Sequence, residues 1–190
     1  MGRNKIYSTL GATSHTDHER AAHDLYCTPP EAIDRLLKGG AEIDKNVWEC
    51  CCGLGHLSEK LKSLGYEVYS SDLIDRGYGE GGIDFLEYYE RFNGTILTNP
   101  PYCLATPIIE HALEIIEDGC RVYMLMRLQY LEGIKRARLF DSGQLETVYV
   151  FRKRIACAMN GDFLNYKSAV CYAWFCFKKG ANVKPVIKWI

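Results

Sequence analysis

The sequence predicts an α/β domain: a mostly parallel β-sheet with helices on both faces and an antiparallel strand near the C-terminus. Strand-like and helix-like segments alternate through most of the chain, which is the signature of a parallel sheet with crossover helices. Two strand-like runs then follow each other at the end, which requires an antiparallel partner. The 190 residues suffice for one domain with a sizeable core and are too few for two ordinary ones.

Residues 1–24 are polar and read as an extended or partly disordered arm, ahead of a single domain over 25–190. His15, His18 and His23 lie in that arm, but no thiolate or carboxylate pattern completes a site, so no metal is expected. Thr28-Pro29-Pro30-Glu31 reads as a helix start, with Thr28 as cap, Pro29 in the first turn and Glu31 completing a capping box. Ile33, Leu36 and Leu37 supply the apolar face, and Gly39-Gly40 ends the helix. Asn46 to Cys50 reads as a strand, followed by Cys52-Gly53-Leu54-Gly55-His56 and a helix carrying Leu57, Leu61 and Leu64, closed by Gly65. Tyr66 to Ser71 is the second strand, ending at Asp72, and the glycine-rich stretch Asp75 to Gly82 is a loop. Ile83-Asp84-Phe85-Leu86 reads as a short strand end or turn.

Thr95-Ile96-Leu97 is a short buried strand that stops at Asn99-Pro100-Pro101-Tyr102, since neither proline can extend a ladder. A helix from about Thr106 to Glu117 ends at Gly119, and Arg121 to Arg127 is apolar enough for a central strand. Leu131 to Phe140 reads as a further helix, closed by Asp141-Ser142-Gly143. Thr147 to Phe151 and Ala169 to Phe177 are the two late strands.

Hydrophobic residues make up 47% and charged residues 25%, as in an ordinary globular protein, and the net charge of −1 provides no global field for nucleic acid. The chain opens on no secretory signal, and its nine cysteines form no C-x-x-C pair, so they are expected as reduced, mostly buried thiols in a cytoplasmic protein. No apolar run approaches the roughly 18 residues of a membrane span.

Four constellations carry chemistry. Glu49-Cys50-Cys51-Cys52-Gly53-Leu54-Gly55 joins the first strand to its helix, where glycines admit a ligand close to the backbone. Ser58 stands where a dinucleotide fingerprint needs its third glycine, and Glu49 would repel a pyrophosphate; a zwitterion with an amino group suits the loop better. Asp72, about twenty residues further at a strand end, suits the two hydroxyls of a ribose. Asp84-Phe85 offers a carboxylate and a ring to an adenine, although Phe85 equally suits the core. Asn99-Pro100-Pro101-Tyr102 places an amide, free carbonyls and a ring at the sheet's carboxyl edge, where acceptors beside a ring can hold a flat amino-bearing group.

These stretches resemble class I S-adenosylmethionine-dependent methyltransferases of the amino-methylating group, most of all the small phage and prophage proteins described as DNA N6-adenine methyltransferases. The resemblance lies in Asp24-Leu25-Tyr26-Cys27-Thr28-Pro29-Pro30, Trp48-Glu49-Cys50-Cys51-Cys52-Gly53-Leu54-Gly55-His56-Leu57, Ser71-Asp72-Leu73, Asp84-Phe85-Leu86 and Thr98-Asn99-Pro100-Pro101-Tyr102. Leu128-Gln129-Tyr130-Leu131-Glu132-Gly133 and Asn160-Gly161-Asp162-Phe163 extend it over nearly the whole chain. Cys51 departs from it, since a small residue such as Ala is commoner there. The resemblance implies a Rossmann-like fold with a seven-stranded sheet, S-adenosylmethionine as cofactor, and a bacterial host cytoplasm. It further implies that Tyr26, Thr28 and Pro29 contact the methionine end of the cofactor. Glu49, Gly53 and Gly55 would line its amino acid and sulfonium, with Cys50, His56 and Leu57 in the same binding stretch. Asp72 would hold the ribose, Leu73 pack on the adenine, and Asp84 and Phe85 meet it, with Asn99 also bordering the cofactor.

The expected chemistry is direct methyl transfer to an exocyclic amine. Asn99 and the Pro100 carbonyl would each accept one N–H, Pro101 would shape the turn, and Tyr102 would stack on the target base. The expected partner is nucleic acid, DNA first. With no recognition domain expected, the candidate contacts are Arg152, Lys153 and Arg154 for phosphates and Phe163 or Tyr166 for stacking. Relaxed specificity, or a second subunit in a homodimer, follows from so short a chain. Adenine in RNA and glutamine in protein present the same planar amine, and a silent cofactor- or DNA-binding module is the alternative from another class. A nicotinamide dehydrogenase fits poorly, lacking the full glycine fingerprint.

Overall fold

A computed structural model describes residues 25–159, 163 and 170–190. The arm, its three histidines and Tyr166 lie outside these residues. In chain order the elements are β1 (Tyr26–Cys27), α1 (Glu31–Lys38), β2 (Asn46–Glu49), α2 (His56–Ser63), β3 (Glu67–Asp72), β4 (Glu80–Gly81), β5 (Thr95–Thr98), α3 (Ala105–Ile115), β6 (Arg121–Arg127), α4 (Ala137–Asp141), β7 (Leu145–Val150), β8 (Ala158–Met159), β9 (Tyr172–Lys178) and β10 (Val186–Trp189). Short 3-10 turns cover Phe85–Glu87, Tyr102–Leu104, Leu128–Leu131 and Ile134–Arg136.

The strands whose sequences lack a polar face form the centre of the sheet. All four residues of β5 are buried, as are the first six of β9. Alternate residues feed two separate cores. Ile96, Val122, Met124, Phe175 and Phe177 pack on the α3 side with Ile108 and Ile109. Leu97, Tyr123, Leu125, Trp174 and Cys176 pack on the other side with Ile33 and Leu36 of α1 and Leu57 and Leu61 of α2. Trp48 of β2 is fully buried, donates its indole N–H to Ser71 Oγ at 2.9 Å, and meets Phe85, Tyr88 and Phe92 edge-on. Five of the nine cysteines are buried.

The main sheet has eight strands in the order β10-β7-β9-β6-β5-β2-β3-β4. Only β9 runs antiparallel to its neighbours, β6 and β7. The chain starts in the middle at β2, winds out through β3 to β4, then returns to β5 and β6. The switch point lies between β2 and β5, where the crossovers part; open α/β sheets take their ligands at the carboxyl edge beside such a point. A separate two-stranded ribbon pairs β1 with β8, Tyr26 opposite Met159 and Cys27 opposite Ala158.

The structure differs from the sequence-based expectation in four places. The sheet has an eighth strand, β10, pairing parallel to β7 after Lys184-Pro185. It is a four-residue edge strand, and so short an element carries no readable period. The helix expected over Leu131–Phe140 shrinks to α4. Gly133 stands at φ +120°, and the Arg136 side chain donates to the carbonyls of Tyr130 and Glu132, which holds the preceding turns off a helical path. Glu80–Gly81, inside the stretch expected to be all loop, pairs with the end of β3 as β4, because a two-residue edge strand among glycines carries no readable pattern; residues 83–86 take the turn alternative, with Asp84 Oδ1 accepting from Leu86 N to cap the 3-10 turn. Finally, Thr28 does not cap α1. Pro30 takes the cap position without a side-chain bond, and Glu31 pairs with Arg35.

Candidate active site

Three strand ends meet at the switch point. β2 ends in Glu49, only 2% exposed. Its Oε2 accepts from Ser58 N at 2.8 Å and from the Ser58 hydroxyl, which also lies 2.6 Å from Ser70 Oγ. Burial raises the Glu49 carboxyl to about 8, against the two Ser58 donors and with added repulsion from Asp72. β3 ends in Asp72, whose Oδ2 accepts from Gly53 N at 2.9 Å and whose Oδ1 accepts from Ile74 N at 3.0 Å. That carboxylate therefore ties the second strand end to the glycine loop.

The loop needs its glycines. Gly55 has φ +79°, and a Cβ there would stand 2.3 Å from the Tyr78 ring. A Cβ at Gly53 would stand 2.8 Å from Leu25, so the segment leading into β1 lies against the loop. His56 opens α2, with its imidazole pKa lowered by burial and its ring edge-on to Phe163 at 5.2 Å. The Asp72 side chain and the Glu49 carboxyl, which keeps its proton until a nearby cation draws it off, thus flank the loop, and two apolar side chains stand uncovered nearby in sequence, Leu54 at 38% and Leu73 at 58% exposure. Such a set suits a ligand with positive charge, hydroxyl groups and an apolar face, and suits a phosphate poorly.

β5 delivers the tetrapeptide. Asn99 is half-buried, and its Nδ2 donates to the Tyr26 carbonyl and to Thr28 Oγ1, both at 3.1 Å. Pro100 is buried and Pro101 exposed, and Tyr102 opens the 3-10 turn. The Tyr102 ring lies 5.1 Å from the Arg127 guanidinium and 6.5 Å from the Tyr172 ring, and burial pushes its phenol well above the usual range. Arg127 ends β6 at the same edge. Sequence reasoning missed it, although a lone cation closing an apolar strand is a readable signal.

Several expected site residues are placed otherwise. Phe85 is 4% exposed, its ring edge-on to Trp48 and His111, so the ring belongs to the core. The side chains of Cys50 and Leu57 also pack in the core. The Thr28 hydroxyl is engaged by Asn99. Pro29 is buried, and its carbonyl accepts from Ala32 N. Arg152, Lys153 and Arg154 are exposed just beyond β7, which runs in the same direction as β6, and Lys153 O accepts from Arg35. Phe163 turns to His56 rather than standing free.

No family model matches the chain, and no curated protein matches it. Solved structures do. A provisionally named class I S-adenosylmethionine-dependent methyltransferase from Listeria monocytogenes superposes with a TM-score of 0.62 at 14% identity, over 97% of this chain and 71% of its own. The chain has the class I methyltransferase fold. A provisionally named hemolysin from Lactococcus lactis matches with a TM-score of 0.61 at 11% identity, over 85% of this chain and 91% of that one. The M protein of the type I restriction enzyme EcoKI matches at 0.57 and 16% identity, over 85% of this chain and 45% of that one. Among the described residues no helix is long and apolar enough to cross a membrane, and no cluster of ligating side chains could hold a metal ion.

Proposed function

We propose that the chain is an S-adenosylmethionine-dependent methyltransferase acting on an exocyclic amine, N6 of adenine in DNA. One observation carries the reading: Asn99-Pro100-Pro101-Tyr102 leaves β5 directly beside β2, whose end holds Glu49 and the glycine loop, with Asp72 tied into that loop. An amine clamp and a rim suited to a cationic, hydroxylated ligand would thus share one edge of the sheet. The fold likeness to a named methyltransferase and to a restriction-enzyme M protein supports the same reading.

S-adenosylmethionine, when bound, supplies a methyl group on a sulfonium that an amine can displace directly. Asp72 holds the ribose hydroxyls; each of its oxygens accepts one backbone N–H and keeps acceptor capacity for another. Leu73 packs on the adenine, and Glu49 faces the amino-acid end. Asn99 Oδ1 and the Pro100 carbonyl each accept one N–H of the target, which draws its nitrogen towards tetrahedral geometry and aims its lone pair. Positioning and two placed acceptors do this without a covalent nucleophile: the N–CH₃ bond would form as the S–CH₃ bond breaks, the neutral thioether S-adenosylhomocysteine would leave, and the nitrogen's surplus proton would pass to solvent. Tyr102 stacks on the extruded base, which takes the place of the Arg127 guanidinium over the ring. Arg152, Lys153 and Arg154 receive phosphates from the same edge.

The test is transfer of labelled methyl to DNA, RNA and protein pools by the wild type and by Asn99→Ala. Labelled DNA with the wild type and none with the variant is expected. Label in RNA or protein alone would move the substrate to that pool, and an equally active Asn99→Ala would overturn the mechanism.

A further inference from the structure

We propose that Thr28 is a positioning residue: with the Tyr26 carbonyl, it locks the Asn99 amide so that its oxygen, not its NH₂, faces the target amine. A side-chain amide has nearly the same shape either way round, so an amine clamp built on Asn needs a device that selects one end. The contacts supply it. Nδ2 lies 3.1 Å from the Tyr26 carbonyl, and a carbonyl only accepts, so the NH₂ must be the end that faces it. The second N–H is taken by Thr28 Oγ1 at 3.1 Å. Both donors are then used inside the protein, and Oδ1 is left as the acceptor directed away from β1. Flipping the amide would set oxygen against oxygen at Tyr26 and leave the NH₂ facing an amine that also donates.

Thr28 is 3% exposed, so the surrounding packing holds its hydroxyl in place against Asn99. Pairing of β1 with β8 fixes the Tyr26 backbone that carries the other acceptor. The geometry stands by itself, but its catalytic consequence rests on the amine-methylation reading.

Thr28→Val keeps the shape and removes the hydroxyl, while Thr28→Ser retains it. One neutral hydrogen bond that orients the acceptor is expected to change kcat about tenfold in Thr28→Val, with KM for S-adenosylmethionine nearly unchanged and Thr28→Ser close to wild type. A second readout needs no activity. The Asn99 side-chain N–H signals, assigned by their loss in Asn99→Ala, should exchange slowly with solvent in the wild type and in Thr28→Ser. One of them should shift and exchange faster in Thr28→Val. Identical Asn99 signals in wild type and Thr28→Val would overturn the proposal, as would a raised KM for S-adenosylmethionine at unchanged kcat, which would make Thr28 a cofactor contact. The expected signals with no methyl transfer to any pool would sustain the positioning and refute the proposed function.

Discussion

Glu49 should make the protein less stable as pH rises. Its carboxyl ordinarily titrates near 4.5 and is raised to about 8 by burial in the folded chain. Between those values the folded state keeps a proton that the unfolded chain has released, so stability is fully present below the lower value and is lost as pH rises through the upper one. The full displacement corresponds to about 5 kcal/mol, of which about 2 to 3 kcal/mol falls between pH 5 and pH 7. Glu49→Gln removes the titration but keeps an oxygen for Ser58 to donate to, so it isolates this group from every other one. Urea unfolding, followed by the fluorescence of the buried Trp48 and Trp174, should show the difference between wild type and variant shrinking or reversing across that window, in the variant's favour at high pH. Parallel pH curves for the two proteins would refute the reasoning, because they would mean that the two Ser58 donors keep the buried carboxylate charged. A cationic ligand at the loop should also draw the proton off. Binding of S-adenosylmethionine near pH 7 should then release up to about one proton, readable by calorimetry in buffers of different ionisation enthalpy.

Gly55→Ala should cost about 2 to 4 kcal/mol, since it combines a left-handed φ with a Cβ 2.3 Å from the Tyr78 ring. Gly65→Ala, at φ +91° with nothing within 4 Å, should cost only about 1 kcal/mol, and equal losses in thermal unfolding would count against the contact. Trp48→Ala should cost about 3 to 5 kcal/mol in urea unfolding, because a fully buried indole with three edge-on neighbours is removed and Ser71 loses its donor. Replacing Arg152, Lys153 and Arg154 together by Ala should weaken binding to a DNA duplex and lower the log–log salt slope by about 2 to 3, measured by fluorescence anisotropy; an unchanged slope would take this stretch off the phosphate path.

What the sequence makes legible here is whatever depends on near neighbours. Thr95-Ile96-Leu97 running into Asn99-Pro100-Pro101 states both a strand and its end, because apolar residues and prolines act on the backbone at their own positions. The positions of Glu49 and Asp72 at strand ends follow in the same way, and three parallel strand ends meet at one edge. The misreadings share another cause, which is competition from a partner far along the chain. Thr28 three residues before Glu31 has the spacing of a capping box, but its hydroxyl is engaged by Asn99, 71 residues away. Leu131 to Phe140 has helical spacing, but the Arg136 side chain folds back onto Tyr130 O and Glu132 O around Gly133. Phe85 beside Asp84 suits a ligand as well as it suits Trp48, and only the packing of β2 against the turn decides between them. Local capping and distant hydrogen bonding each contribute about 1 kcal/mol, so the pattern alone cannot rank them. The distant partner wins at Thr28 because Pro30 can open α1 without a side-chain cap, whereas the half-buried NH₂ of Asn99 would lose one of its acceptors without the buried Thr28 hydroxyl.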